Sequence, residues 1–333
     1  MNKMKGMNLK MKWLLFLSLG IISTGCLDDS EDDDSQGNWT KVSDFEGVTR
    51  SGAVSFSIGE KAYVATGYTG TEYLSDLWEY DPSLNFWLRK ADFPGVKRSA
   101  AVAFSVNGKG YVGTGYDGLN NLGDFWEYDP ATDAWRQVAD FGGSARYGAV
   151  AFNSSTNGYV GTGYDGNDLK DFWTYDPAAN EWTQVISIGG SKRVDAVAFT
   201  IDNKAYVGTG RNNGVYQYDF WAYDMVAGTW QQMLDLDDDD DYLVVRHNAV
   251  AFSRDGKGYI TTGNFSGLLV STWEYDPITD LWSEYTGIEG PAREDAVAFV
   301  AGSRIFVTTG RSSTVRLDDI WEFKPEEVYD EDL

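Results

Sequence analysis

The chain has 333 residues, with 27 Lys and Arg against 51 Asp and Glu, a net charge of −24, and a single Cys and a single His. Nearly twice as many acids as bases argues against nucleic-acid binding, which rewards clustered basic surface, and the lone Cys26 excludes a disulfide framework or a cysteine-rich metal site. With 42% hydrophobic residues and 13 Trp, 20 Tyr and 17 Phe, the chain has the material for a folded core and is not a disordered acidic polymer.

Residues 1–12 carry Lys3, Lys5, Lys10 and Lys12 and no acid, and they run into the apolar stretch Trp13–Ile22. That stretch is too short to span a bilayer and reads as a signal peptide. It ends in Ser23-Thr24-Gly25-Cys26, which resembles the lipobox of bacterial lipoproteins, so residues 1–25 are expected to be removed and Cys26 to carry lipid. The alternative is a plain secretory signal with an incidental cysteine. Removing the four lysines takes the net charge from −24 to −28. Residues 26–37 then form an acidic tether of mutually repelling carboxylates, reaching up to roughly 36 Å at about 3.3 Å per residue. Such acidic runs resemble surface-export signals of some Gram-negative lipoproteins. The expected location is therefore the bacterial envelope, at the outer membrane and open to surface exposure, with the lipid at Cys26 as the membrane contact.

From residue 38 the chain repeats. An Arg leading into Ala-Val-Ala-Phe or a near variant recurs at Arg50, Arg98, Arg146, Arg193, Arg246 and Arg293, at intervals of 48, 48, 47, 53 and 47. A Trp-x-Tyr-Asp-Pro block or variant recurs at Trp78, Trp126, Trp173, Trp221, Trp273 and Trp321, and five copies add a Trp seven residues after the Tyr, at Trp87, Trp135, Trp182, Trp230 and Trp282. Each unit reads as four short strands, in the second copy Arg98 to Ser105, Gly110 to Thr114, Phe125 to Tyr128 and Ala134 to Val138. The runs are rich in Val, Tyr, Phe and Trp and divided by Asn-Gly, Asp-Gly and Asp-Pro turns. Four strands per unit at this period is the arithmetic of a propeller blade.

These motifs resemble the kelch repeat, and the resemblance covers residues 38–323. It implies an all-β, six-bladed β-propeller of four-stranded kelch-like blades over 38–325, followed by an acidic tail at 326–333. One departure is systematic. Where the kelch repeat has two glycines, this chain has Thr-Gly, at Thr66, Thr114, Thr162, Thr209, Thr262 and Thr309, which predicts a second strand one residue longer. The sixth copy lacks its final Trp strand, and the orphan Asn38-Trp39-Thr40-Lys41-Val42 at the other end of the repeats supplies it, closing the ring with an N-terminal strand and removing open edges.

The Trp residues and Asp76, Asp124, Asp171 and Asp219, each two before a Trp, repeat in place and read as scaffold. Copper chemistry of the galactose oxidase type needs two His and a Cys crosslinked to Tyr, and only His247 and the lipid-committed Cys26 are present. Ser253-Arg254-Asp255-Gly256 starts like a sialidase Asp box but lacks the spacing and the Trp. No cofactor is implied. The run Asp235, Asp237, Asp238, Asp239, Asp240 and Asp241 falls in the enlarged interval; its alternating carboxylates could hold Ca²⁺, with a solvated acidic loop as the other reading.

By resemblance to kelch domains, the opening arginines and the residue after each Thr-Gly frame the mouth of the central channel. In a kelch domain of a eukaryotic ubiquitin-ligase adaptor, arginines at these places hold an acidic peptide. Here the opening set is Arg50, Arg98, Arg146, Arg193, Arg246 and Arg293, and the second set is Tyr68, Tyr116, Tyr164, Arg211, Asn264 and Arg311. Two residues past each opening Arg stand Gly52, Ala100, Gly148, Asp195, Asn248 and Asp295. The ring is two-sided, with tyrosines in blades 1–3 and charge in blades 4–6, which suits a small anionic or amphipathic ligand, a glycan or an acidic peptide. Arginines that contact ligand and arginines that only bond neighbouring loops are both open at this level. An enzyme resembling N-acetylneuraminate epimerase, with Asp195 or Asp295 as general base, and a scaffold for other envelope proteins are the alternatives.

Overall fold

A computed structural model of the chain describes residues 35–238 and 242–330. The signal and lipidation motifs, Cys26 included, and residues 331–333 lie outside the described residues. The fold is an all-β, six-bladed propeller of four-stranded antiparallel blades. Blade 2 is representative: Val102–Val106 innermost, then Lys109–Gly113, Phe125–Asp129 and Ala134–Gln137. The innermost strands read Ala-Val-Ala-Phe because their two faces have different neighbours. The alanines face the channel, where only small side chains let six strands converge, while Val102 and Phe104 are buried between blades. Phe104 lies so close to the next blade that a Cβ on Gly158 would sit 2.1 Å from its ring, so glycine is required there.

The ring closes as the sequence predicts. The last blade consists of Val297–Ala301, Arg304–Thr308, Asp319–Val328 and the N-terminal strand Gln36–Asp44. That strand pairs Trp39 with Phe323 and Asp44 with Asp319, with irregularities between Gln36 and Asn38 and between Lys41 and Ser43. Trp39 stacks on Phe323 at 4.7 Å and donates its indole N–H to the Thr286 carbonyl of blade 5. The same interblade bond recurs from Trp135 to Ala91, Trp182 to Ala139 and Trp230 to Ile186. The tail is shorter than expected, because residues 326–328 continue the strand and the Tyr329 N–H reaches the Ser35 carbonyl.

Two strand expectations are corrected. The first strand of blade 2 begins at Val102 rather than Arg98, since residues 98–100 turn across the channel mouth. The second strand stops at Gly113, so the Thr of Thr-Gly does not extend it. Thr66, Thr114, Thr162, Thr209, Thr262 and Thr309 all have φ between 58° and 64°, a left-handed conformation that a β-branched residue adopts only when its surroundings enforce it.

Candidate functional site

The enforcing group is the opening arginine. The Arg98 guanidinium donates to the Thr114 carbonyl at 2.8 Å, to Asp124 Oδ2 at 2.7 Å and to the Val96 carbonyl at 2.8 Å, and it lies 4.7 Å from the centre of the Phe93 ring. The left-handed turn at Thr114 aims that carbonyl inward. Arg50 and Arg146 repeat the pattern with Asp76 and Asp171 and with Phe45 and Phe141, and Arg293 repeats its hydrogen bonds with Asp319. Burial pushes the carboxyl of Asp124 up, but the hydrogen bond and charge of Arg98, with the Trp126 N–H, outweigh it and hold the group below its ordinary range. All six opening arginines are 0–1% exposed. The expectation that Arg50, Arg98, Arg146, Arg193, Arg246 and Arg293 present themselves to a ligand is therefore corrected: each is a latch tying the first strand of its blade to the loop before the third.

Above the latches lies a belt. The Ala100 N–H donates to the Gly52 carbonyl, Gly148 to Ala100, Asp195 to Gly148, Asn248 to Asp195, Asp295 to Asn248 and Gly52 to Asp295, at 2.8–3.1 Å. Six backbone hydrogen bonds thus form a closed cycle, one residue per blade, around the top of the channel. Every belt residue has φ between 50° and 61°, which explains Gly, Asn and Asp at five of the six places. Expected inside the first strand of blade 2, Ala100 lies instead in this ring of bends.

The belt is the floor of the mouth, and its walls are two-sided. Tyr68, Tyr73, Tyr116, Tyr147 and Tyr164 form a continuous arc with successive ring centres 4.7, 6.3, 5.6 and 5.5 Å apart. Tyr68 and Tyr116 are braced through their hydroxyls on the Gly70 and Gly118 carbonyls. Opposite, Arg211 meets Asp195 at 3.1 Å, and Arg311 meets Asp295 at 2.8 Å and Glu294 at 2.7 Å. Both arginines are 34% exposed. Asn264 is half-buried and bridges His247 and Leu268 through its backbone. Arg316 joins the two arcs, its guanidinium 5.5 Å from the Tyr68 ring centre. Sequence reasoning does not single out Tyr73, Tyr147, Glu294 or Arg316; each stands one residue after an opening arginine or within the loop after Thr-Gly, so the repeat phase is the signal that finds them.

Burial raises Tyr73 and Tyr147 in the tyrosine arc, and the charged arc holds perturbed carboxyls and an imidazole. Burial, reinforced by the charge of Asp295, raises Asp195 to about 6 against the opposing pull of Arg211. Burial likewise raises Asp295, with Arg311 opposing. His247 is 6% exposed, packs against Tyr216 with ring centres 5.8 Å apart, and is lowered by burial and by Arg211 to about 4. It is a neutral imidazole at neutral pH. The acidic run forms a short hairpin, Asp237–Asp238 against Tyr242–Leu243, and Asp239, Asp240 and Asp241 lie outside the described residues. Among the described residues no three His, Cys, Asp or Glu side chains cluster as a metal site would require.

Residues 97–142, the second repeat, match the family model described as the Kelch motif. No curated protein matches the chain significantly in sequence. Among solved structures, one titled "Structure of YjhT" is similar with a TM-score of 0.71 over 83% of this chain and 95% of that one, at 14% identity. At that identity the likeness is one of fold.

Proposed function

We propose that this chain, a kelch-repeat β-propeller, is a lipid-anchored envelope protein whose channel mouth binds an amphipathic ligand such as a sugar. The observation that carries the reading is the arc of five tyrosines facing an arc of arginine–carboxylate pairs. A sugar ring offers an apolar C–H face to aromatic walls and hydroxyls that both donate and accept, which is what paired Arg and Asp groups demand. The latch arginines being buried, the cations left at the mouth for an anion are Arg211, Arg311 and Arg316. An anionic sugar or acidic peptide must compete for the first two with Asp195, Asp295 and Glu294. Gln36 pairs with Val328 at the end of the propeller away from the mouth, which supports an orientation with the mouth turned outward from the membrane.

The test is a glycan and acidic-peptide array probed with Cys26→Ser protein. The expected result is retention on glycans that is lost in Tyr116→Ala; retention on acidic peptides alone, abolished by salt, rejects the sugar reading. The anchor is tested separately by detergent partitioning, where a Cys26→Ser protein that stays in the membrane fraction rejects lipidation. One observation favours a second reading. A carboxyl raised to about 6 on the floor of a mouth is suited to move a proton near neutral pH, so a carbohydrate-modifying activity of the epimerase type is the alternative. Accelerated mutarotation of sialic acid, followed by NMR and lost in Asp195→Asn, would favour it.

A further inference from the structure

The geometry points to a second ligand site, on the rim of blade 4 and outside the channel mouth, that takes an uncharged saccharide. A groove of about 890 Å³ opens there, against about 220 and 310 Å³ for the two segments of the central channel. Its walls come from the loop entering the blade, Gly189 to Ser191, the loop from Asn212 to Asp219, and Gln232 and Asp235 at the exit.

Beside the groove, one latch is incomplete. In the other five blades the arginine Nε–H donates to the carbonyl two residues earlier, that of Val48, Val96, Ser144, Val244 or Pro291, at 2.8–3.1 Å. The corresponding residue in blade 4 is Ser191, and there the bond is missing: Arg193 Nε, on a residue 0% exposed, has no partner. The Arg193 contact to the Thr209 carbonyl also lengthens to 3.3 Å. A buried donor without an acceptor is costly and is rarely left without a reason. The loop it fails to hold is the groove wall. That wall lies flat because it begins with two glycines: a Cβ on Gly189 would stand 2.5 Å from the Trp221 ring, and one on Gly190 would stand 1.7 Å from Asp219 Oδ2.

The lining decides the ligand's chemistry. It contains no Lys or Arg, so an anion finds no counter-charge. The Asp219 carboxylate accepts from Arg193 and from the Trp221 N–H through Oδ2, at 2.6 and 2.7 Å. The lining otherwise offers the exposed Asp235 carboxylate, the amides of Asn212, Asn213 and Gln232, and the rings of Tyr218, which is 38% exposed, and the half-buried Trp221. Amides donate and accept toward hydroxyls while flat rings cover the C–H face of a sugar. The site is independent of the mouth although the two share a hairpin. Arg211 of that hairpin turns to Asp195 at the mouth, whereas Asn212 and Val215 line the groove.

The experiment titrates the full-length protein in detergent with neutral hexasaccharides of glucose, mannose, galactose and xylose, by calorimetry and by hydrogen exchange. We expect at least one to bind with slowed exchange at Gly189 to Lys192. Its affinity should fall at least tenfold in both Tyr218→Ala and Gln232→Trp, hold within twofold in Tyr116→Ala, and be insensitive to salt. Both groove positions are exposed, and thermal melts confirm folding. Failure of all four saccharides to bind, or binding that both groove variants leave unchanged, overturns the second site. Binding lost in Tyr116→Ala instead assigns the saccharide to the mouth.

Discussion

Below the belt, the opening arginines keep the same partners in almost every blade, and above it the side chains change from tyrosine to charge halfway around the ring. The two layers are built by the same loops, only a few residues apart. The lower layer answers a demand that every blade shares, namely to hold the loop before the third strand against the start of the first. The upper layer answers no such demand, and there the repeat is broken. Where a repeated position departs from its five equivalents, either a ligand or an uncompensated strain is to be sought.

The largest expected effect lies in the lower layer. Arg98→Ala leaves the Asp124 carboxylate buried without its cation and the Thr114 carbonyl without its donor, and breaking such a pair costs about 3–5 kcal/mol. Urea unfolding should also show Asp124→Ala destabilised to a similar degree, and the double variant should cost far less than the sum. Additive losses would mean that the latch is not a unit.

How much of this is legible in the sequence follows from the same contrast. The blade count, the four strands and the closing strand are readable because Trp, Ala-Val-Ala-Phe and Asp-Pro recur at fixed phase and because an orphan Trp39 strand matches a missing one. The latch is half-legible. Arg and Asp stand 25 or 26 residues apart in five repeats, at Arg50 and Asp76 for instance, but sequence spacing gives no depth, and it sets the arginines at the mouth instead of beneath it. The left-handed Thr is not legible, because strand propensity favours Thr in the pleat and only the buried guanidinium reverses that preference. The belt escapes because it is a cycle of backbone bonds, to which side-chain identity contributes only tolerance of positive φ.

The next prediction tests the belt's charged arc. With Asp195 raised to about 6, the folded state holds more protons than the unfolded one between about pH 4 and 6, so this group's contribution to stability falls as pH rises through that window. His247, lowered to about 4, works in the opposite sense, its contribution growing from about pH 4 to 6.5. The two offset one another in the native protein. Asp195→Asn removes the falling part. Its stability relative to the unaltered protein should therefore improve by about 3 kcal/mol between pH 4 and 7, because the carboxyl is raised from 3.8 to about 6 and moving a pKa by one is worth about 1.4 kcal/mol. A difference that stays flat across that range in urea titrations would reject the raised carboxyl.

Blade 5 sharpens the comparison within the lower layer. Ser271 stands where the other blades have Asp, so in place of a carboxylate Arg246 bonds the Ser271 carbonyl and hydroxyl, at 3.0 and 3.1 Å, while keeping the Val244 and Thr262 carbonyls. Lacking a carboxylate, it is lowered by burial to about 10. Trp273 Nε1, whose equivalents donate to the missing Asp, has no partner. Ser271→Asp should satisfy both and raise stability by about 1–2 kcal/mol, the net of a charged hydrogen bond against desolvation. An unchanged or lowered melting temperature would show that blade 5 has repacked around serine.

The smallest expected effect on stability belongs to the upper layer, and there its smallness is the point. Tyr116 packs on Tyr73 and Tyr147 and bonds the Gly118 carbonyl, yet it is half-buried and no blade core closes over it. Tyr116→Ala should therefore change unfolding free energy by no more than about 1 kcal/mol, within the range of surface substitutions that open no cavity. Tyr128, in the same blade and 0% exposed, provides the contrast, since emptying its place creates a cavity at a cost of about 3–5 kcal/mol. Both substitutions remove the same atoms. If Tyr116→Ala proved as damaging as Tyr128→Ala, the tyrosine arc would belong to the scaffold, and the mouth would lose the wall on which ligand binding is argued.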